Sequence, residues 1–136
     1  MATANIHGTI GKDHFITHLH TENHQWLADE PLDKEGSDKG PNPYELLLSS
    51  LAACTLITLR SYIDVKKWEV DRITAELQME VEDEGGVRKS SIQRKISFSG
   101  TLPEEAQKRL LTVAERCPVH RVLIGEIHIQ TETHFG

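Results

Sequence analysis

The chain has 136 residues, with 15 Lys and Arg against 21 Asp and Glu, a formal net charge of −6. This length suits a single domain, 1–136, with a core large enough to need neither disulfide nor metal staples. The acidic balance argues against a nucleic-acid or anionic-membrane partner held by phosphate contacts and favours neutral or small substrates.

Residues 1–20 alternate polar with apolar and hold no continuous apolar run of the signal-peptide kind, so a cytoplasmic location is expected. Up to Glu30, Ile6, Thr9, Phe15, Thr17, Leu19 and Trp26 sit among polar residues, with turn signals at Gly11-Lys12-Asp13 and Glu22-Asn23. This reads as two or three short antiparallel strands. Residues 31–43, PLDKEGSDKGPNP, sustain neither periodicity and predict an exposed loop, a class of segment that is often functional.

Asn42-Pro43-Tyr44-Glu45 has the form of a helix start, with Asn42 as cap, Pro43 at the first helical position and Glu45 closing a capping box. The helix is expected to run to about Ile63. Its leucines, alanines and isoleucines wrap most of the circumference, which predicts burial on nearly all sides and a second subunit to cover it. The apolar stretch Leu46 to Leu59 reaches only about 21 Å as a helix, short of a hydrocarbon core of about 30 Å, so it reads as a buried soluble helix.

Trp68 to Val81 predicts a strand whose phase changes near Asp71, consistent with a bulge there. Glu84-Gly85-Gly86 turns the chain into a partner strand, Ser90 to Ser99, with Ile92, Ile96 and Phe98 facing inward. Thr101-x-x-Glu104 suggests a second capping box, opening a helix with Leu110, Val113, Ala114 and Cys117 on one face. Pro118 breaks that helix, Val119 to Ile124 can form a further turn, and the alternation of Ile127, Ile129 and Thr131 predicts a last strand from Glu126 to Thr133. The fold class is α+β, with mixed or antiparallel strands flanking a long hydrophobic helix.

The two cysteines, Cys54 and Cys117, show neither C-x-x-C nor zinc-finger spacing and look like a reactive or buried pair. For Cys54 in LAACTLIT the simplest reading is a small apolar side chain packing the helix. Cys117 has a sharper setting, because a thiol at the start of a new helical turn meets unpaired N–H groups that favour thiolate, with Arg116, His120 and Arg121 adding positive charge nearby.

The segment Gly40-Pro41-Asn42-Pro43-Tyr44-Glu45-Leu46-Leu47-Leu48, followed by Leu51-Ala52-Ala53-Cys54, resembles the central-helix signature of the OsmC/Ohr superfamily. Cys117-Pro118-Val119-His120 resembles its second cysteine motif, and the likeness covers nearly the whole chain. The resemblance implies an OsmC-like fold in an intertwined homodimer that reduces organic hydroperoxides or hydrogen peroxide. It makes Cys54 the peroxidatic thiol, oxidised to a sulfenic acid, and Cys117 the residue that resolves it as a disulfide. An external dithiol would restore both thiols by exchange, with no metal, flavin or other cofactor.

Two departures stand out. Characterised peroxidases of the superfamily use an arginine from the N-terminal half, but here no arginine precedes Arg60, leaving Arg116, His120, Arg121 and Lys39 as candidate cations. The position of the family glutamate holds Tyr44, with Glu45 one residue later; helical geometry puts Glu45 about 13 Å along the axis from Cys54, which suits a cap better than a thiol partner. The candidate site is therefore Cys54 and Cys117 with Glu45, His120 and Arg121.

The competing functional class is a non-catalytic dimer of the same fold that binds a small hydrophobic or thiol-containing ligand. Trp26, Tyr44 and Trp68 are candidates to line an apolar pocket, with packing as the simpler role. His14, His18, His20 and His24 raise a metal site, but no acidic or cysteine ligand completes a characteristic spacing, so a His-rich solvated strand is the preferred reading. There is no G-x-S-x-G elbow and no P-loop.

Overall fold

A computed structural model describes residues 2–136. The chain divides into two compact units, the first running to Leu48 and the second covering Ser49–Gly136.

In the first unit, three short strands, β1 (His7–Ile10), β2 (Thr17–His20) and β3 (Gln25–Ala28), form an antiparallel sheet in sequence order. The expected short strands are all present. His18 and His20 lie on the exposed face of β2, and His7 stands across from His20 with ring centroids 4.9 Å apart. Among the described residues no group of three or more His, Cys, Asp or Glu side chains is placed to hold a metal ion.

The Pro- and Gly-rich segment after β3 is organised by a residue that carries no obvious signal in the sequence. Asp29 is almost fully buried; its carboxylate accepts the Ser37 hydroxyl at 2.8 Å, the Lys39 N–H at 3.0 Å and the Glu30 N–H at 2.7 Å. Burial pushes this carboxyl up, but the hydrogen bonds from Lys39, Glu30 and Ser37 outweigh it and hold it below the usual aspartate range. A carboxyl lowered in the native state contributes stability that is present above its unfolded value of about 3.9 and is lost as pH falls through the lower native value. Acid unfolding of wild type should therefore steepen below about pH 4. Asp29→Asn should be less stable at neutral pH and flatter in that window, as read by thermal melts against pH; identical profiles would exclude this role for Asp29.

Helix α1 (Pro43–Lys66) links the units in sequence and begins as expected: the Asn42 side chain accepts the Glu45 N–H at 2.8 Å and the Glu45 carboxylate accepts the Asn42 N–H at 2.9 Å. It extends three residues past the expected Ile63, to a stop at Lys67, which is left-handed (φ 59°), with the Trp68 N–H returning to the Ile63 carbonyl. At 24 residues and mean hydropathy 1.6, α1 is long and apolar enough to cross a membrane by length and composition. Its buried residues nevertheless place it in a core: Leu51, Thr55, Leu59 and Ile63 recur every four positions as one stripe. The expected burial on nearly all sides is not found within the single chain, where Ala53 and Ile57 are exposed.

In the second unit that stripe meets a long antiparallel hairpin, β4 (Glu69–Glu84) and β5 (Val87–Thr101), and helix α2 (Glu104–Glu115). Leu59, Ile63, Val70, Leu110 and Ala114 form the core, with Ile73, Ile96 and Phe98 packed against it. The predicted change of phase is a register shift between Val70 and Arg72. Gly85 and Gly86 make the two-residue turn with φ of 58° and 79°, a conformation that glycine adopts without a Cβ penalty.

Two expectations for this unit are corrected. Thr101 does not cap α2: it ends β5 opposite Glu69, and the helix opens after Pro103 with no side-chain cap bond, because the sheet claims Thr101 first. The predicted strand 126–133 is absent: residues 126–136 form neither helix nor strand, with Ile127, Ile129 and Phe135 exposed, since alternation alone supplies no neighbouring strand to bond. Both sheets are purely antiparallel.

Candidate active site

The two cysteines come together in the second unit. Cys54 lies on α1 beside the buried stripe and is partly accessible; Cys117 is fully buried. Helix α2 ends at Glu115, Arg116 closes it, and Pro118 opens helix α3 (Pro118–Ile124), so Cys117 occupies the break between the helices as the sequence suggests. There its sulfur accepts the His120 N–H at 3.4 Å, while the neighbouring Val119 N–H reaches the Cys54 sulfur at 3.5 Å. One turn of backbone thus addresses both sulfurs.

The cation hydrogen-bonded into this cluster is Arg94, which is not among the candidates Arg116, His120, Arg121 and Lys39. Arg116 and Arg121 point their exposed residues to solvent on either side of Cys117. Arg94 sits on β5 opposite Leu77, in phase with the inward-facing Ile92, Ile96 and Phe98. It donates through Nη1 to the Thr55 hydroxyl oxygen at 2.8 Å and through Nη2 to His120 Nδ1 at 2.9 Å. Because a guanidinium only donates, His120 Nδ1 is an acceptor and the ring hydrogen belongs on Nε2, an assignment that follows from the partner.

Thr55, fully buried one residue after Cys54, joins the arginine to the sulfurs. Its hydroxyl lies 2.7 Å from the Leu51 carbonyl and 3.7 Å from the Cys117 sulfur. Burial acts to raise the Cys117 thiol, yet the hydrogen bonds from the His120 amide, Thr55 and Cys54, with the charge of Arg94, hold it below the ordinary thiol range.

His120 is therefore brought to the pair both through its amide and through its ring. Glu45 takes its place in the α1 capping box, as its spacing from Cys54 suggests. Arg94 and Thr55 are the residues that reading the sequence missed. A signal for Arg94 was present: a charged residue at an inward position of an otherwise alternating strand is costly to bury unless it is paired, which makes it a functional candidate. Of the aromatic candidates, Tyr44 is exposed, Trp26 lines an open groove with His18 and Gln25 in the first unit, and Trp68 lines an open groove with Tyr62 in the second.

Comparison with known proteins places this arrangement. No curated protein sequence matches the chain. Among solved structures it is similar to an osmotic stress induced and detoxification response protein, so described, from Psychrobacter arcticus 273-4, with 25% identity, TM-score 0.75, and 94% of this chain and 90% of that one covered. It is similar in fold to an organic hydroperoxide resistance protein OsmC from Legionella pneumophila, at 18% identity, TM-score 0.71 and coverage of 92% and 91%. The organic hydroperoxide resistance protein OhrB of Bacillus subtilis shares the fold at 21% identity, TM-score 0.66 and coverage of 91% and 92%. The family model described as OsmC-like protein matches residues 36–132, which include both cysteines, Thr55, Arg94 and His120, and the chain belongs to the OsmC-like family.

Proposed function

We propose that the chain is a thiol-dependent peroxidase of oxidative-stress defence that reduces organic hydroperoxides or hydrogen peroxide through Cys54 and Cys117. The observation that carries this reading is the backbone turn that donates to both sulfurs, with Thr55, His120 and the Arg94 guanidinium hydrogen-bonded around Cys117. Cys54, the more accessible sulfur, attacks one peroxide oxygen; the O–O bond breaks, alcohol or water leaves, and Cys54 becomes a sulfenic acid. Cys117 displaces hydroxide to form the disulfide, and an external dithiol returns both thiols by exchange. The reaction draws on the side chains alone, with no cofactor, and is placed in the cytoplasm, where such a dithiol pool exists.

The working form in this proposal is a homodimer. The exposed Ile57 on α1 and the exposed Ile127 and Ile129 of the C-terminal segment are apolar surface that a second copy would cover.

Native mass spectrometry before and after limiting organic hydroperoxide tests both parts. The expected result is a species of twice the chain mass whose subunits each lose two hydrogens, with a Cys54–Cys117 linkage in the peptide digest. A monomer refutes the dimer, and thiols left intact after peroxide treatment refute the peroxidase. The latter result would instead favour a non-catalytic dimer that binds a small hydrophobic or thiol-containing ligand.

A further inference from the structure

Among the described residues the histidines near the N-terminus complete no three-ligand set, yet two of them form a pair that the sheet itself holds. His7 on β1 and His20 on β2 are direct cross-strand partners, and the next residues on that face of the ladder are Thr9 and His18. Both histidines are exposed, while Thr17 and Leu19, which alternate with them along β2, are half-buried. Residues directly opposite in an antiparallel pair have Cβ atoms about 4.5–5.5 Å apart, so the register fixes where both rings begin.

The rings stand at the separation that a shared ion requires. Their centroids are 4.9 Å apart and their planes are tilted by 35°, so the faces are not closed against each other in parallel stacking. With Zn–N bonds of about 2.0–2.1 Å, two imidazoles on one tetrahedral ion have ring centres roughly 5 Å apart.

An oxygen beside each ring selects the nitrogen that is left for a ligand. His20 Nδ1 lies 3.3 Å from the Thr21 carbonyl oxygen. A carbonyl only accepts, so Nδ1 carries the hydrogen, an assignment made from the partner, and the free lone pair of the neutral ring is on Nε2. His7 Nε2 lies 3.3 Å from the Thr9 hydroxyl oxygen, which can accept its hydrogen and leave the free lone pair on Nδ1. Metal-ligating histidines donate their other ring N–H to such an oxygen, which fixes both tautomer and ring orientation.

We infer that His7 and His20 form a two-histidine site for a divalent transition-metal ion, bound through His7 Nδ1 and His20 Nε2, with the Thr9 hydroxyl and the Thr21 carbonyl as the outer acceptors. Imidazole suits zinc, copper and nickel, and copper(II) binds most tightly of the three. Two protein ligands leave the other coordination positions to water, so the ion is exchangeable, unlike one in the closed four-ligand set of a structural zinc site. No electron moves on binding, and no proton leaves the neutral rings. The site lies wholly within the first unit and stands apart from the chemistry proposed for the cysteines.

Zinc chloride titrated into the wild-type chain slightly above neutral pH, followed by proton–nitrogen-15 spectra of the histidine rings, tests this, because zinc is redox-inert toward the thiols and each ring reports separately. Before zinc, His20 should show the Nδ1–H tautomer. The His7 and His20 signals should then shift together and saturate at one ion per chain. His20→Asn should raise the zinc concentration that moves His7 by at least about tenfold, and His7→Asn should do the same for His20, since loss of even an outer partner costs about 10–100-fold in affinity. Rings unmoved by excess zinc overturn the inference, as does a His7 response that survives unchanged in folded His20→Asn, or zinc uptake confined to the cysteines. If neither asparagine variant folds, the wild-type titration decides alone: separate half-saturation points for the two rings exclude a shared ion.

Discussion

Cys54→Ser is expected to abolish hydroperoxide consumption in the presence of a dithiol donor, because the hydroxyl that replaces the thiol is not a nucleophile at neutral pH and cannot reach the sulfenic oxidation state. Cys117→Ser is expected to behave differently: a single turnover still oxidises Cys54, and the sulfenic acid then persists and is trapped by a carbon nucleophile such as dimedone. The distinction follows from their positions. Cys54 is the more accessible sulfur, and Cys117 is sealed behind it. Equal, unsaturable peroxide loss in wild type and Cys54→Ser would sink the peroxidase reading.

The second large effect is expected at Arg94. Its guanidinium bridges Thr55 and His120 and is the cation that acts on Cys117. In the proposed reaction negative charge moves from sulfur to the departing oxygen, and a fixed cation at that point stabilises the transition state more than the ground state. Arg94→Gln preserves some hydrogen-bonding capacity and removes the charge, so kcat/KM for an organic hydroperoxide should fall by about two to three orders of magnitude, comparable with the loss of one preorganised donor. Arg94→Lys should recover only part of this, since one ammonium cannot reproduce the fork that holds Thr55 and His120 together. An unchanged kcat/KM in a folded Arg94→Gln protein would assign the arginine to structure alone.

What could be read from the sequence was largely what local chemistry decides. The Asn42–Glu45 capping box, the glycine turn at Gly85-Gly86, the change of strand phase near Asp71 and the helix break at Cys117-Pro118 each depend on a few adjacent residues, and each is present. The errors lie where distant partners decide. Thr101 has the spacing of a cap but is drawn into β5 by Glu69, and Ile127 to Thr131 alternate without a strand beside them. Arg94 lies among apolar members of its strand face, and a charge at that position acquires meaning only when Thr55 and His120 arrive from two helices. Asp29 shows the same limit, since its hydrogen bonds to the loop depend on how residues 30–39 fold back.

The placement of Arg94 opposite Leu77 gives the hairpin a metering role. Side chains on a strand alternate with a period of two, so sliding β5 by one residue against its own pleat would carry Arg94 from the inner face to the outer and expose Ile92, Ile96 and Phe98 with it. The count of residues from the Gly85-Gly86 turn down to Arg94 is thus held to whole steps of that period, and the register shift at Val70 and Arg72 absorbs the mismatch at the far end. The charge beside the sulfurs is delivered by counting along the ribbon: the turn, remote in sequence from both cysteines, works as the zero mark of a ruler whose graduations are single residues.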